Sequence, residues 1–177
     1  MSITESNCLL LIIDIQEKLI NAVFNKEKLE NRAKILIKSA NLLKLPIFIT
    51  EQYPQGLGES IDGVKNYGEL FIKTDFNALT DIKLLKKLKE TNRNEVILFG
   101  IETHICVYQT ALALLENNFN VTIISDASGS RSEFEYKSAL KVLENYGAKI
   151  KTTEMFIFEL LKTAKHEKFK EIQALIK

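Results

Sequence analysis

Short, uninterrupted apolar runs alternate along the chain with longer segments of helical period. Residues 8–15, CLLLIIDI, read as a buried strand. From 17 to 43, Leu19, Ile20, Val23, Leu29, Ala33, Leu36, Ile37, Ala40 and Leu43 recur at mixed spacings of three and four. That spacing predicts an amphipathic helix preceded by a short turn. Pro46 stops it, and PIFIT (46–50) reads as a second strand. Residues 51–68, EQYPQGLGESIDGVKNYG, hold four of the seven glycines, so a long irregular loop is expected. Loops of that length in a compact domain are usually functional.

The alternation continues to the end of the chain. Strands are predicted at 69–74, 95–100, 121–127 and 148–152, and helices at 81–90, 103–117, 132–145 and 154–161. Gly147 stands where a C-terminal cap belongs, and Thr152 or Thr153 can cap the helix at 154–161. The tail HEKFKEIQALIK predicts one more short amphipathic helix. The runs at 8–15, 96–100 and 121–125 are continuously apolar rather than alternating, which is the mark of a parallel sheet covered on both faces. The expected fold is therefore α/β: a single three-layer domain over 1–177 with a six-stranded, mostly parallel sheet.

Composition adds exclusions. The chain has 177 residues, 24 Lys and Arg against 23 Asp and Glu, and a net charge of +1. That balance argues against a nucleic-acid-binding surface spread over the molecule. The apolar run at the N-terminus is short and broken by Asp14, and no basic region precedes it, so neither a membrane span nor a signal peptide is expected. The default compartment is the cytoplasm. Two cysteines, Cys8 and Cys106, exclude a disulfide framework, and two histidines, His104 and His166, leave a His-built metal site poorly supplied.

In a doubly wound sheet, function gathers at the carboxyl ends of the strands. Three chemically distinct groups fall there. Asp14 follows four large aliphatics, where a carboxylate is either paired or serves as a helix cap. Lys73 ends the third strand, as an edge lysine or as a charge placed for function. Cys106 lies just beyond Gly100, near a helix start whose free N–H groups favour a thiolate; the alternative is a small core hydrophobe. Cys8, inside a strand, is expected only to pack. A thiol with a carboxylate and a cation is a recognisable activated nucleophile.

The runs LLLIIDIQEKL, TEQYPQGLG, FIKTDFNAL and GIETHICVYQTALALL occur in that order, and nearly the whole chain resembles the isochorismatase-like cysteine hydrolase superfamily. The similarity is nearest to the isochorismatase domain-containing subgroup. It implies a catalytic triad of Asp14, Lys73 and Cys106, and a non-proline cis peptide at Ile101–Glu102. It also implies an oxyanion hole from the backbone amides of Glu102 and Cys106, and assembly into homo-oligomers, dimers or tetramers. The segment ITEQYPQGLG lacks the histidines with which nicotinamidases in that superfamily hold a metal, so neither metal nor other cofactor is expected. The subgroup includes proteins labelled ribonucleases; the near-neutral charge and the lack of a catalytic His pair point instead to a small-molecule substrate.

Gln16, Tyr53 and Phe76 are candidates to line the substrate pocket. His104 is either a ligand contact or a helix-surface residue. Asp126 and Arg131 are expected to form an ion pair across a turn, and KLLKKLK (83–89) a solvated helix face. The expected activity is hydrolysis of an amide-like C–N bond or a related carbonyl compound through a covalent thioester. The alternative is a non-catalytic oligomeric binding protein that retains the pocket.

Overall fold

The computed structural model describes residues 2–177. Continuous apolar runs form the centre of one parallel sheet because both faces of these strands are covered. Its strands are β1 (Cys8–Ile13), β2 (Ile47–Gln52), β3 (Glu69–Lys73), β4 (Glu95–Gly100), β5 (Asn120–Ile124) and β6 (Lys149–Lys151). They lie in the order β3-β2-β1-β4-β5-β6, and every pairing is parallel. The order reverses between β1 and β4, which opens a crevice at their carboxyl ends.

The helices are α1 (Glu17–Ile20), α2 (Lys26–Leu42), α3 (Pro54–Leu57), α4 (Ile82–Glu90), α5 (Tyr108–Glu116), α6 (Glu133–Asn145), α7 (Thr153–Leu161) and α8 (Phe169–Ile176). Alternate strand residues point to opposite faces. On one face Leu10, Ile12, Ile49 and Phe99 pack beneath Leu29, Leu36, Phe156 and Ile172 of α2, α7 and α8. On the other, Leu11, Ile13, Phe48 and Leu98 pack beneath Leu84, Leu114 and Leu143 of α4, α5 and α6. No helix among the described residues is long and apolar enough to cross a membrane.

The expected elements are present, with informative differences at their ends. The first strand stops at Ile13 rather than continuing to 15, because Asp14 turns into the left-handed region at φ 49°. The helix expected over 17–43 is two helices. The break at 21–25 is held by the Phe24 amide donating to the Ser130 carbonyl (3.0 Å) and the Asn25 amide side chain donating to the Ser128 carbonyl (3.1 Å). Those partners are about a hundred residues away, so the local period carries no trace of the break. The long loop contains the single turn α3. The helix expected from 103 begins instead as a π turn over Thr103–Val107. The Thr152 hydroxyl caps α7, accepting from the Met155 amide at 3.3 Å. The lysines of 83–89 are exposed, as expected, while Leu84 and Leu88 are buried.

One expectation is overturned. Asp126 and Arg131 do not pair with each other. Asp126 is buried and accepts from the Thr153 amide (2.7 Å) and hydroxyl (2.9 Å), with Arg32 3.6 Å away. Arg131 turns instead to Glu102. Each group takes a partner on another element; Asp126 is buried by its partners, while Arg131 reaches Glu102 from the surface.

Gly100 lets β1 and β4 close together at the crevice. Its φ is +133°, and a Cβ there would collide with the Ile13 carbonyl oxygen. Gly147 has φ +98° with open space around it. Gly100→Ala is expected to lose about 3 kcal/mol or more of stability through overpacking and backbone strain, and Gly147→Ala only about 1 kcal/mol. Urea unfolding midpoints of the two variants test this, and equal midpoints would contradict it.

Candidate active site

Three strand ends bring Asp14, Lys73 and Cys106 into the crevice. Asp14 is fully buried just past β1, and its left-handed backbone turns its carboxylate back toward the sheet. Aspartate tolerates that conformation better than most residues. One carboxylate oxygen accepts from the Thr50 hydroxyl at 2.6 Å. The other accepts from the Lys73 ammonium, also at 2.6 Å, with both side chains almost completely buried. Lys73 donates further to the Gln52 side-chain carbonyl (2.6 Å) and the Asp75 backbone carbonyl (3.2 Å). Asp14 is therefore not a helix cap, and Lys73 is not a solvated edge lysine. The ammonium has the three acceptors it can use, which is what a buried cation requires.

Cys106 is 6% exposed and lies inside the π turn Thr103–Val107. The wide turn is closed by the Val107 amide donating to the Glu102 carbonyl at 3.2 Å, and such turns are frequent at functional sites. Its thiol lies close enough to Asp14 and Lys73 for both charges to act on it. Burial pushes the thiol up to about 12; the Asp14 carboxylate pushes the same way and Lys73 pulls against both. The expectation that the helix start favours a thiolate is thus not met in the resting site, where the neutral thiol dominates. Burial also pushes Cys8 up to about 12, and Cys8 packs inside β1 as expected.

The peptide Ile101–Glu102 is cis. The Glu102 side chain is clamped by Arg131, whose backbone amide (2.9 Å), Nε (3.0 Å) and Nη2 (2.6 Å) all donate to it. Burial pushes this carboxyl up, but the hydrogen bonds and charge of Arg131 outweigh it and hold Glu102 below the usual range. His104 points to Ser130, with Nδ1 2.9 Å from its hydroxyl.

Gln16, Tyr53 and Phe76 are not equivalent. Gln16 is fully buried, and its amide is spent on backbone: Nε2 donates to the carbonyls of Gln52 (3.0 Å) and Gly58 (2.6 Å), and Oε1 accepts from the Gln52 amide (2.8 Å). It fastens the loop after β2 to the end of β1. Tyr53 and Phe76 are exposed aromatic residues near Lys73. The Tyr53 amide donates to the Lys73 carbonyl at 2.9 Å, and Phe76 follows the Asp75 carbonyl that Lys73 uses. No three His, Cys, Asp or Glu side chains converge in a metal-ligating group among the described residues.

The isochorismatase domain model matches residues 8–155. The chain belongs to the isochorismatase family. Membership places it among isochorismatase-like hydrolases and supports a hydrolytic function. It is 38% identical to isochorismatase family protein 1A of Dictyostelium discoideum, over 98% of this chain and 88% of the relative. It is likewise 38% identical to bovine isochorismatase domain-containing protein 2, over 96% and 82%. The solved structure of a protein named MAR1 ribonuclease from Caenorhabditis elegans superposes with a TM-score of 0.93 at 36% identity, covering 99% of this chain and 92% of that one.

Two residues that partner the buried ion pair carry no motif in the sequence, Thr50 and Gln52. Both lie on β2, two residues apart and hence on one face. Parallel register sets Thr50 opposite Phe71 and Gln52 opposite Lys73. That period was the available signal, but it points to the right face only once the neighbouring strand is known. The pairing of Arg131 with Glu102 is hidden in the sequence for the same reason.

The electrostatics give a signed test. In the resting protein, alkylation of Cys106 by iodoacetamide is expected to keep accelerating above pH 9, without a plateau near 8.5. Asp14→Asn removes one raising influence and leaves burial alone to oppose Lys73, so alkylation at pH 7 should rise severalfold. Lys73→Met should slow it. Peptide mass spectrometry separates Cys106 from Cys8, and an unchanged rate in Asp14→Asn would contradict the assignment.

Proposed function

We propose that the chain is a cysteine hydrolase that cleaves an amide-like C–N bond, or a related carbonyl compound, in a small molecule. The observation that carries this reading is the Cys106 thiol beside a buried Asp14–Lys73 pair 2.6 Å apart. A buried ion pair that only stabilised the fold would be a poor use of two desolvated charges. A pair beside a thiol can move a proton.

Asp14 takes the proton from Sγ as Sγ attacks the acyl carbon, and the carbonyl π electrons move to oxygen. Lys73 holds the charge of the emerging thiolate. The amides of Glu102 and Cys106 receive the oxyanion, and the clamp of Arg131 on Glu102 keeps that turn in place. The C–N bond breaks, and the leaving nitrogen takes the proton from Asp14. Water then adds to the thioester carbon and passes its proton to Asp14. The C–S bond breaks, and Sγ recovers its proton. The neutral resting thiol fits this order of events: the proton leaves only when a substrate carbon is there to take the sulfur electrons. The exposed rings of Tyr53 and Phe76, close to Lys73 along the chain and in the sheet, suit a substrate with an apolar part.

A screen of small amides, imides and nitrile-derived compounds, read by product formation and by intact mass, tests the scheme. An active compound should leave an acyl adduct on Cys106. Cys106→Ala should lose at least about a thousandfold in turnover while keeping its circular dichroism spectrum and melting temperature. Turnover retained in Cys106→Ala would overturn the cysteine mechanism, and binding without turnover of any compound would favour a binding protein.

A further inference from the structure

The face of the sheet opposite Cys106 carries a cavity, which the proposed hydrolysis does not use. Thr50 and Gln52 point toward the ion pair, so Glu51 between them points the other way, with Ile49. Register sets Leu70 opposite Ile49 and Ile72 opposite Glu51. These four residues, with Pro54, Ser60, Lys65 and Asn66, line a cavity of about 440 Å³. That volume is in the range of small-molecule sites.

The cavity is built around an unmatched charge. Glu51 is only 4% exposed and accepts a single hydrogen bond, from the Ser60 amide at 2.6 Å. Lys65, the one cation in the lining, is paired instead with Asp62 at 3.2 Å and Glu59 at 3.8 Å. The Ser60 hydroxyl is buried and has no hydrogen-bond partner among the described residues. Buried carboxylates ordinarily have a cation, and buried hydroxyls a partner. Leu70 and Ile72 add an apolar wall that is about half exposed, at 48% and 58%.

We propose that this cavity binds a small organic ammonium compound, its charged head on Glu51 and the Ser60 hydroxyl and its apolar body on Ile49, Leu70 and Ile72. An ammonium supplies donors to both groups at once and neutralises the carboxylate. A neutral alcohol of the same shape cannot.

Calorimetric titration with 2-phenylethylammonium and with 2-phenylethanol tests the assignment. The amine should bind once per chain and saturably, and the alcohol at least about tenfold more weakly, as expected for a charge-assisted contact. Glu51→Gln, which keeps an acceptor for the Ser60 amide, should weaken the amine by a similar factor. Ser60→Ala should weaken it severalfold with no change in melting temperature, because the hydroxyl has no partner to lose. Cys106→Ala should leave the affinity unchanged, so failure of the hydrolase reading does not touch this one. Equal binding of amine and alcohol, undiminished binding in Glu51→Gln, or loss of binding in Cys106→Ala would overturn the proposal. So would a cavity closed to the amine in a chain that sediments as a dimer and is dissociated by Ile72→Lys; the occupant would then be a second copy.

Discussion

Asp14 and Lys73 place opposite charges 2.6 Å apart where almost no water reaches. Such a pair persists only if every remaining polar valence is met, since desolvating two ions costs several kcal/mol before attraction repays it. The fold is arranged to meet those valences. β1 supplies Asp14 from a left-handed turn, β2 supplies Thr50 and Gln52 from one face, and β3 supplies Lys73 from an edge that would otherwise be wet. Three consecutive strands of the sheet thus end on one charge pair. The loop after β2 is bound to the same place by Gln16, whose amide is spent on the backbone of Gln52 at the end of β2 and of Gly58 in the loop.

The thiol completes this arrangement from the other side of the switch point. Cys106 reaches the pair because the chain after β4 leaves Gly100 against the Ile13 carbonyl and turns through a π turn before α5 begins. Burial and the carboxylate together keep the resting sulfur protonated, pushed up to about 12. The resting sulfur of Cys106 is therefore held neutral beside the Asp14 carboxylate. A helix start alone would have favoured the thiolate; burial, reinforced by the nearby carboxylate, is the stronger influence.

β2 links the two faces of the sheet. Thr50 and Gln52 serve the ion pair, while Glu51 faces a separate cavity from between them. Strand periodicity makes that division unavoidable: two residues given to one site leave the one between them for the other side. The relatives in the isochorismatase family share the fold over nearly the whole chain, so comparison of their residues at Glu51 and Ser60 bears on that cavity independently of the ion pair.

Much of the molecule was legible in the chain. The apolar runs specify a parallel sheet because only strands covered on both sides can be apolar throughout, and β4 matches its run of residues from end to end. Strand-end positions and the family resemblance together single out Asp14, Lys73 and Cys106, and the structure brings the three together. What the chain could not disclose depends on partners distant in sequence. The break between α1 and α2 is held by residues 128–130, the exchange of Arg131 from Asp126 to Glu102 spans a turn and a crevice, and the charge state of Cys106 follows from burial and a carboxylate ninety residues earlier. Local pattern decides which segments become strands and helices, because hydrophobic period acts over a few residues. Pairing, burial and protonation were decided only by the tertiary structure, because they are set by whatever group the folded chain brings within a few ångströms.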